Sequence, residues 1–173
     1  GEARKMNVDK INRYLIPAKS GPVKGCSYSL SKAPKMMDGN NYTKSAGLIL
    51  DPQEKEVLVA ENPEVKCWIR KFVGADEYIN SRSRYCLWLV GVKQEDIEKV
   101  PAIKRRVASV LHDRLGSQKK DTREKASKFP HLFPEVRQPT EGNYLLVPRV
   151  TSERRQYIPI GYLTYEVITS NQV

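Results

Sequence analysis

Between Pro101 and Gly116 the apolar residues Ile103, Val107, Val110, Leu111 and Leu115 return at three- and four-residue steps. That spacing commits one face of a helix of about four turns to a core. Pro101 suits a first helical position, where its missing N–H costs nothing, and Gly116 ends the pattern. At about 100° per residue Arg105, Ser109 and His112 fall opposite the apolar face. Arg114 falls within it, near the C-terminal end, where a guanidinium must reach solvent, pair, or meet a partner.

The other elements have to cover that face. Asp51-Pro52 followed by Glu54 is a helix start, with a capping side chain, proline and an acid in the first turn. The run from Pro63 to Val73 predicts a second helix closed by Gly74. Arg84–Val90, "RYCLWLV", has the aromatic and aliphatic content of a buried strand. The stretch "YLLVPRVTSERRQYIPIGYL" predicts a hairpin with strands at Tyr144–Val147 and Tyr157–Leu163. Pro148 and Pro159 lack ladder donors and make an edge or an interruption there. Residues 1–50 carry "AKSGPVKG" and "DGNNYTKSAG" between short apolar pieces, the chemistry of a loop-rich lead-in that lies on something else. The expected architecture is α+β: a mixed, largely antiparallel sheet packed by helices. Arg84–Val90 is central, the late hairpin lies beside it, and the N-terminal lead-in is irregular. The division expected is 1–50 for the lead-in and 51–173 for one domain.

A chain of 173 residues has room for one domain with a substantial core. Its formal charge of +10 favours a polyanionic partner. No apolar run approaches the ~18 residues needed to span a bilayer, and no secretory signal pattern opens the chain, so a cytoplasmic location is expected. Cys26, Cys67 and Cys86 are widely spaced. Cys67 and Cys86 sit in apolar patterns that suit small buried hydrophobes. With His112 and His131 they form no metal-ligand spacing, and no disulfide framework emerges.

From Lys104 to Lys128 nine basic residues face three acidic ones, more than half of the net charge in about a seventh of the chain. Arg105, Arg114, Lys119, Lys120 and Arg123 are the candidate phosphate contacts of this stripe. An ordinary solvated helix face followed by a loop fits it equally well. At the hairpin tip Arg149, Arg154 and Arg155, beside Thr151 and Ser152, offer guanidinium forks and hydroxyls for phosphate oxygens or guanine edges. A Glu153–Arg pair on a solvated turn is the plain alternative. Two basic surfaces together favour nucleic acid, and basicity with aromatics does not separate DNA from RNA. Asp51 with Glu64 and Lys66 has the acid, acid-x-lysine spacing of many metal-dependent nucleases. Those motifs place the second acid on a strand, whereas Pro63 here reads as a helix start. There is no Gly-rich phosphate loop or nucleophile–base set arguable from spacing.

Specific blocks carry a resemblance. "IRKFVGADEYINSRSRYCLWLV", Ile69 to Val90, has an Ile-Arg pair, a Gly-x-x-Glu-aromatic-Ile-Asn segment and an Arg-aromatic-Cys-Leu-Trp-Leu strand. Phe129 to Leu163 adds Arg-Gln-Pro, Val-Pro-Arg and Ser-Glu-Arg-Arg before Tyr-Ile-Pro-Ile-Gly, and "KINRYLIPA" and "PKMMDGN" precede both. This order resembles the MmeI-like type IIL restriction–modification enzymes and related adenine-specific DNA methyltransferases, over nearly the whole chain. In that family "GN" is usually followed by Pro-x-Asp-Gly-Gly, where this chain has "YTKSA", Tyr42 to Ala46.

The resemblance implies a target recognition domain that docks on double-stranded DNA within a bacterial enzyme. The expected partners are that DNA and the methyltransferase and helical domains of the same parent chain. No cofactor is implied for this segment. S-adenosylmethionine would serve the parent's methyltransferase, and Mg2+ a nuclease domain if one is joined. The family continues past the point matching Val173, so some base-reading residues are expected beyond it. The arginines of the matched blocks, among them Arg149, Arg154 and Arg155 beside Ser152, are then expected as phosphate anchors or structural pairs rather than as the residues that choose the sequence.

Overall fold

The computed structural model describes residues 7–11, 17, 32 and 36–173. The chain separates into Gly1–Met36 and Met37–Val173, and every helix and strand below belongs to the second unit. "KINRYLIPA" and Cys26 lie wholly or largely outside the described residues.

The sequence signals at Asp51 produce a complete capping box. The Asp51 carboxylate accepts from Glu54 N at 2.7 Å, and the Glu54 carboxylate accepts from Asp51 N at 3.0 Å. Helix α1, Pro52–Glu61, follows the two-residue strand β1, Ile49–Leu50. The helix expected from Pro63 is cut short. A 3-10 helix spans Pro63–Trp68, and Ile69–Val73 is strand β2. Ile69, Phe72 and Val73 are residues whose branched or aromatic side chains suit a pleated surface, and their pairing overrides the helix start. Gly74 therefore begins helix α2, Ala75–Ile79, rather than closing a helix.

The predicted Arg84–Val90 strand contracts to β3, Tyr85–Leu87, and takes an interior position. Helix α3, Gln94–Lys99, leads into α4, Pro101–Leu115, whose bounds match the apolar periodicity. Ile103, Val107 and Val110 are buried as that periodicity requires, but Leu115 is 56% exposed while Arg114 is 0% exposed. Helix α5 spans Lys120–Glu124. The main sheet is completed by β6, Ile168–Thr169, in the order β1-β3-β2-β6. Its β1/β3 and β3/β2 pairs are antiparallel and β2/β6 is parallel. Its core joins Leu50, Phe72, Cys86, Leu87 and Ile168 to Ile103 and Val110 of α4. Cys86 is buried, and burial pushes its thiol pKa up, whereas Cys67 is exposed rather than part of the core.

The late hairpin forms a separate two-stranded sheet instead of extending the main one. Its strands are β4, Asn143–Leu146, and β5, Gly161–Thr164. The second strand starts after Pro159, leaving a 147–160 connection in which Tyr157, Ile158 and Ile160 are exposed rather than buried.

Residues 37–50, expected to be lead-in, join the body. Asn40 is fully buried, and its amide group donates to Thr169 O at 2.9 Å and to Gln138 Oε1 at 3.0 Å. Its own Oδ1 accepts from Arg137 N at 2.7 Å. Gln138 Nε2 donates to the carbonyls of Tyr165 and Val167, both at 2.8 Å. One amide pair thereby ties the chain entry, the segment before β4 and the approach to β6 together.

Candidate nucleic-acid interface

The 147–160 connection is anchored at its base and open at its tip. Pro148 is buried, Arg149 N donates to Gln172 O at 3.2 Å, and the Arg149 guanidinium pairs with Asp38. That hydrogen bond, aided by the charges of Arg149 and Arg137, holds the Asp38 carboxyl below the usual carboxylate range. At the tip Ser152 folds the chain back, with Arg155 N donating to Ser152 O at 3.0 Å and Arg154 N to Ser152 Oγ at 3.2 Å. Ser152, Arg154 and Arg155 are exposed, and neither guanidinium has a carboxylate partner among the described residues. The alternative Glu153–Arg pair is likewise not formed among them.

Beneath the tip the hairpin rests on α2. A Cβ at Gly161 would collide with Tyr78 Oη and lie 3.1 Å from its Cζ, so glycine is what allows this approach. The Tyr144 hydroxyl donates to Val167 O. The same region encloses a cleft of about 570 Å³ lined by Ala75, Asp76, Asn80, Arg149, Asn171 and Gln172.

The stripe from Lys104 to Lys128 is less free than its composition suggests. Arg106 donates to Glu54 Oε1 at 2.5 Å and to the carbonyls of Gly47 and Ile49 at 3.2 and 3.3 Å, holding α4 against β1 and α1. Arg123 donates to Ser117 O at 2.6 Å and Gln118 O at 2.9 Å, and Lys125 pairs with Asp121 at 2.8 Å. Arg105, Lys119 and Lys120 remain exposed.

Arg114 is a correction. It was expected among the phosphate contacts, yet its side chain is fully buried. It donates to the carbonyls of Lys44 (3.2 Å), Ala126 (2.7 Å), Phe129 (3.0 Å) and Leu132 (2.7 Å) and to Ser45 Oγ (2.7 Å). Burial lowers its pKa to about 10, which leaves it a cation at neutral pH with every donor direction occupied by protein. It cannot reach a phosphate. It instead sets the conformation of Tyr42–Ala46, the loop that departs from the family pattern, where Lys44 has a positive φ of 54°.

The nuclease constellation is also dispersed in role. Asp51 caps α1, while Glu64 and Lys66 are exposed on the 3-10 helix rather than on a strand. The Gly-x-x-Glu block serves the fold. Glu77 accepts from Gly74 N at 2.8 Å and lies 3.0 Å from Arg84 Nε, and the Arg84 guanidinium covers the Phe72 ring at 4.9 Å from its centroid. Sequence reasoning missed the internal use of Arg106 and Arg123, because a basic run in one dimension carries no sign of the carbonyls that fold against it.

These features define an exposed basic loop on an anchored hairpin, and the comparisons identify the family of the chain. The chain belongs to the family of the MmeI target recognition domain, whose model matches residues 17–173. It is similar to DNA methyltransferase A of Bacillus subtilis (strain 168), 34% identical over 173 residues, 99% of this chain and 19% of that protein. It also resembles the solved structure of the type IIL restriction–modification enzyme MmeI in complex with DNA, with a TM-score of 0.86 and 35% identity. That match covers 99% of this chain and 23% of the enzyme, so the chain spans about a fifth of the length of these relatives.

Proposed function

We propose that this chain recognises double-stranded DNA in a sequence-specific manner, as the target recognition part of a longer adenine-specific DNA methyltransferase. The observation that carries the reading is the Ser152–Arg155 tip, which presents two guanidiniums without carboxylate partners among the described residues, in a chain of the target recognition family. Arg154, Arg155 and Ser152 hold backbone phosphates in this reading. Arg105, Lys119 and Lys120 add a second set of contacts. Arg123 contributes through the donors its carbonyls leave free, and Arg149 through exchange of Asp38 for phosphate. Such contacts position the duplex without choosing its sequence.

In the relatives this region is about a fifth of a larger protein. Methyl transfer from S-adenosylmethionine, and Mg2+-dependent cleavage where a nuclease is joined, would fall to other domains that dock on this one. The test is duplex DNA binding measured by fluorescence anisotropy across a salt series. Each lost phosphate contact lowers the slope of log affinity against log salt by ~0.9. Arg154→Ala with Arg155→Ala is expected to weaken binding across all sequences and to flatten that slope by nearly two. A salt-independent wild-type affinity, or equal competition by structured RNA, would overturn the reading.

A further inference from the structure

The guanidiniums at the loop account for phosphate contacts but leave the hairpin's outward face without a role. In the β4/β5 register Leu145 stands opposite Tyr162, and both point away from the body, at 51% and 80% exposure. Their neighbours point the other way: Leu146 is buried, and Gly161 opposite it packs on Tyr78. The approach to β5 continues the exposure with Tyr157 at 77%, Ile158 at 56% and Ile160 at 49%. Single exposed apolar residues are ordinary, but an aromatic–aliphatic cross-strand pair leading into further exposed apolar side chains marks an interaction surface.

We infer that this face is an apolar contact surface for DNA bases, with Tyr162 the side chain that wedges against a base step and Leu145 its support. The inference rests on the duplex-binding reading above. The occupant is chosen by charge. Arg154 and Arg155 belong to the loop that joins these same two strands, and no described carboxylate neutralises them. A DNA duplex offers phosphates to those guanidiniums and, at a base step opened from the groove, an apolar surface to the ring within one ligand. Apolar side chains set among phosphate-binding arginines are also the arrangement by which proteins press on base steps from a groove. The tyrosine ring is held on a strand paired with β4 and packed at Gly161 on Tyr78 of α2, so contact there costs little ordering of the protein.

The salt series separates the two contributions. On the intact protein, with fluorescein-labelled random-sequence duplex DNA as probe, Tyr162→Ala is expected to weaken binding by about tenfold or more, as loss of an aromatic anchor does. Its salt slope stays that of the wild type, because no phosphate contact is lost. Tyr162→Phe retains most of the affinity. If Tyr162→Ala binds like the wild type while Arg154→Ala with Arg155→Ala still weakens and flattens, duplex binding stands and the wedge role falls. A drop in the melting temperature of the intact protein without a change in DNA affinity would assign the face to another protein surface and overturn the inference. Absence of salt-dependent duplex binding by the wild type would overturn both.

Discussion

Replacing Arg114 by alanine should unfold more of this domain than any change in its basic surface. The guanidinium serves four backbone carbonyls and the Ser45 hydroxyl, and it joins the end of α4 to the 42–46 loop and to 126–132. Each buried acceptor left without a donor costs about 1–3 kcal/mol, and the acceptors share water and relax together, so the costs do not simply add. A loss of about 3–5 kcal/mol follows, a large share of the ~5–15 kcal/mol that holds a domain together. At ~2–4 °C per kcal/mol for a domain of this size the melting temperature should fall by about 6–20 °C. Arg114→Lys keeps the charge but offers three donors on a point ammonium in place of five in a planar fork, and should lose roughly half as much. Thermal and urea unfolding, followed by circular dichroism, measure both. A shift within about 2 °C for Arg114→Ala would refute the clamp. So would a reduced DNA salt slope for folded Arg114→Lys, since the residue makes no phosphate contact in this structure.

Three further outcomes are expected. Gly161→Ala should destabilise by about 1–3 kcal/mol through collision with Tyr78 Oη, and most of that loss should vanish in the Tyr78→Phe background, a coupling read from a double-mutant cycle. Asp38→Asn should release Arg149 and steepen the DNA salt slope in anisotropy titrations, with affinity at low salt maintained or raised. His131 is held below its ordinary 6.5 by burial and then by the Arg114 cation. The unfolded chain therefore binds the proton first, and stability present above pH 6.5 is lost as pH falls through and below that value. Urea midpoints of His131→Asn should lack that component of the acid loss.

Sequence patterns carried local structure well where one segment determines its own geometry. Asp51 and Glu54 form a capping box around Pro52 within four positions, and α4 follows its own apolar period. They failed where a partner distant in sequence decides. Pro63 begins a helical turn as expected, but β2 is drawn out by pairing with β3 on one side and Ile168–Thr169 on the other. The hairpin was legible and its sheet membership was not, because the chain rejoins the main sheet only at β6. At the candidate site, the exposed tip was legible from Ser152, Arg154 and Arg155. The fates of Arg106 and Arg114 were not, since each depends on carbonyls contributed by other segments.

That division has a physical consequence for how this domain can change its ligand. Asn40, Arg106, Arg114 and Gln138 spend their hydrogen bonds on joining segments, so altering them costs stability before it touches binding. Arg154, Arg155, Tyr157 and Tyr162 are exposed on a connection and a strand face that the base of the hairpin already holds. Surface changes away from packed features usually stay within ±0.5 kcal/mol in stability. The contacts proposed for DNA can therefore vary almost independently of the scaffold. Substitutions at these four positions should alter affinity or its salt dependence while leaving the urea midpoint nearly unchanged, the reverse of what the Arg114 series should show.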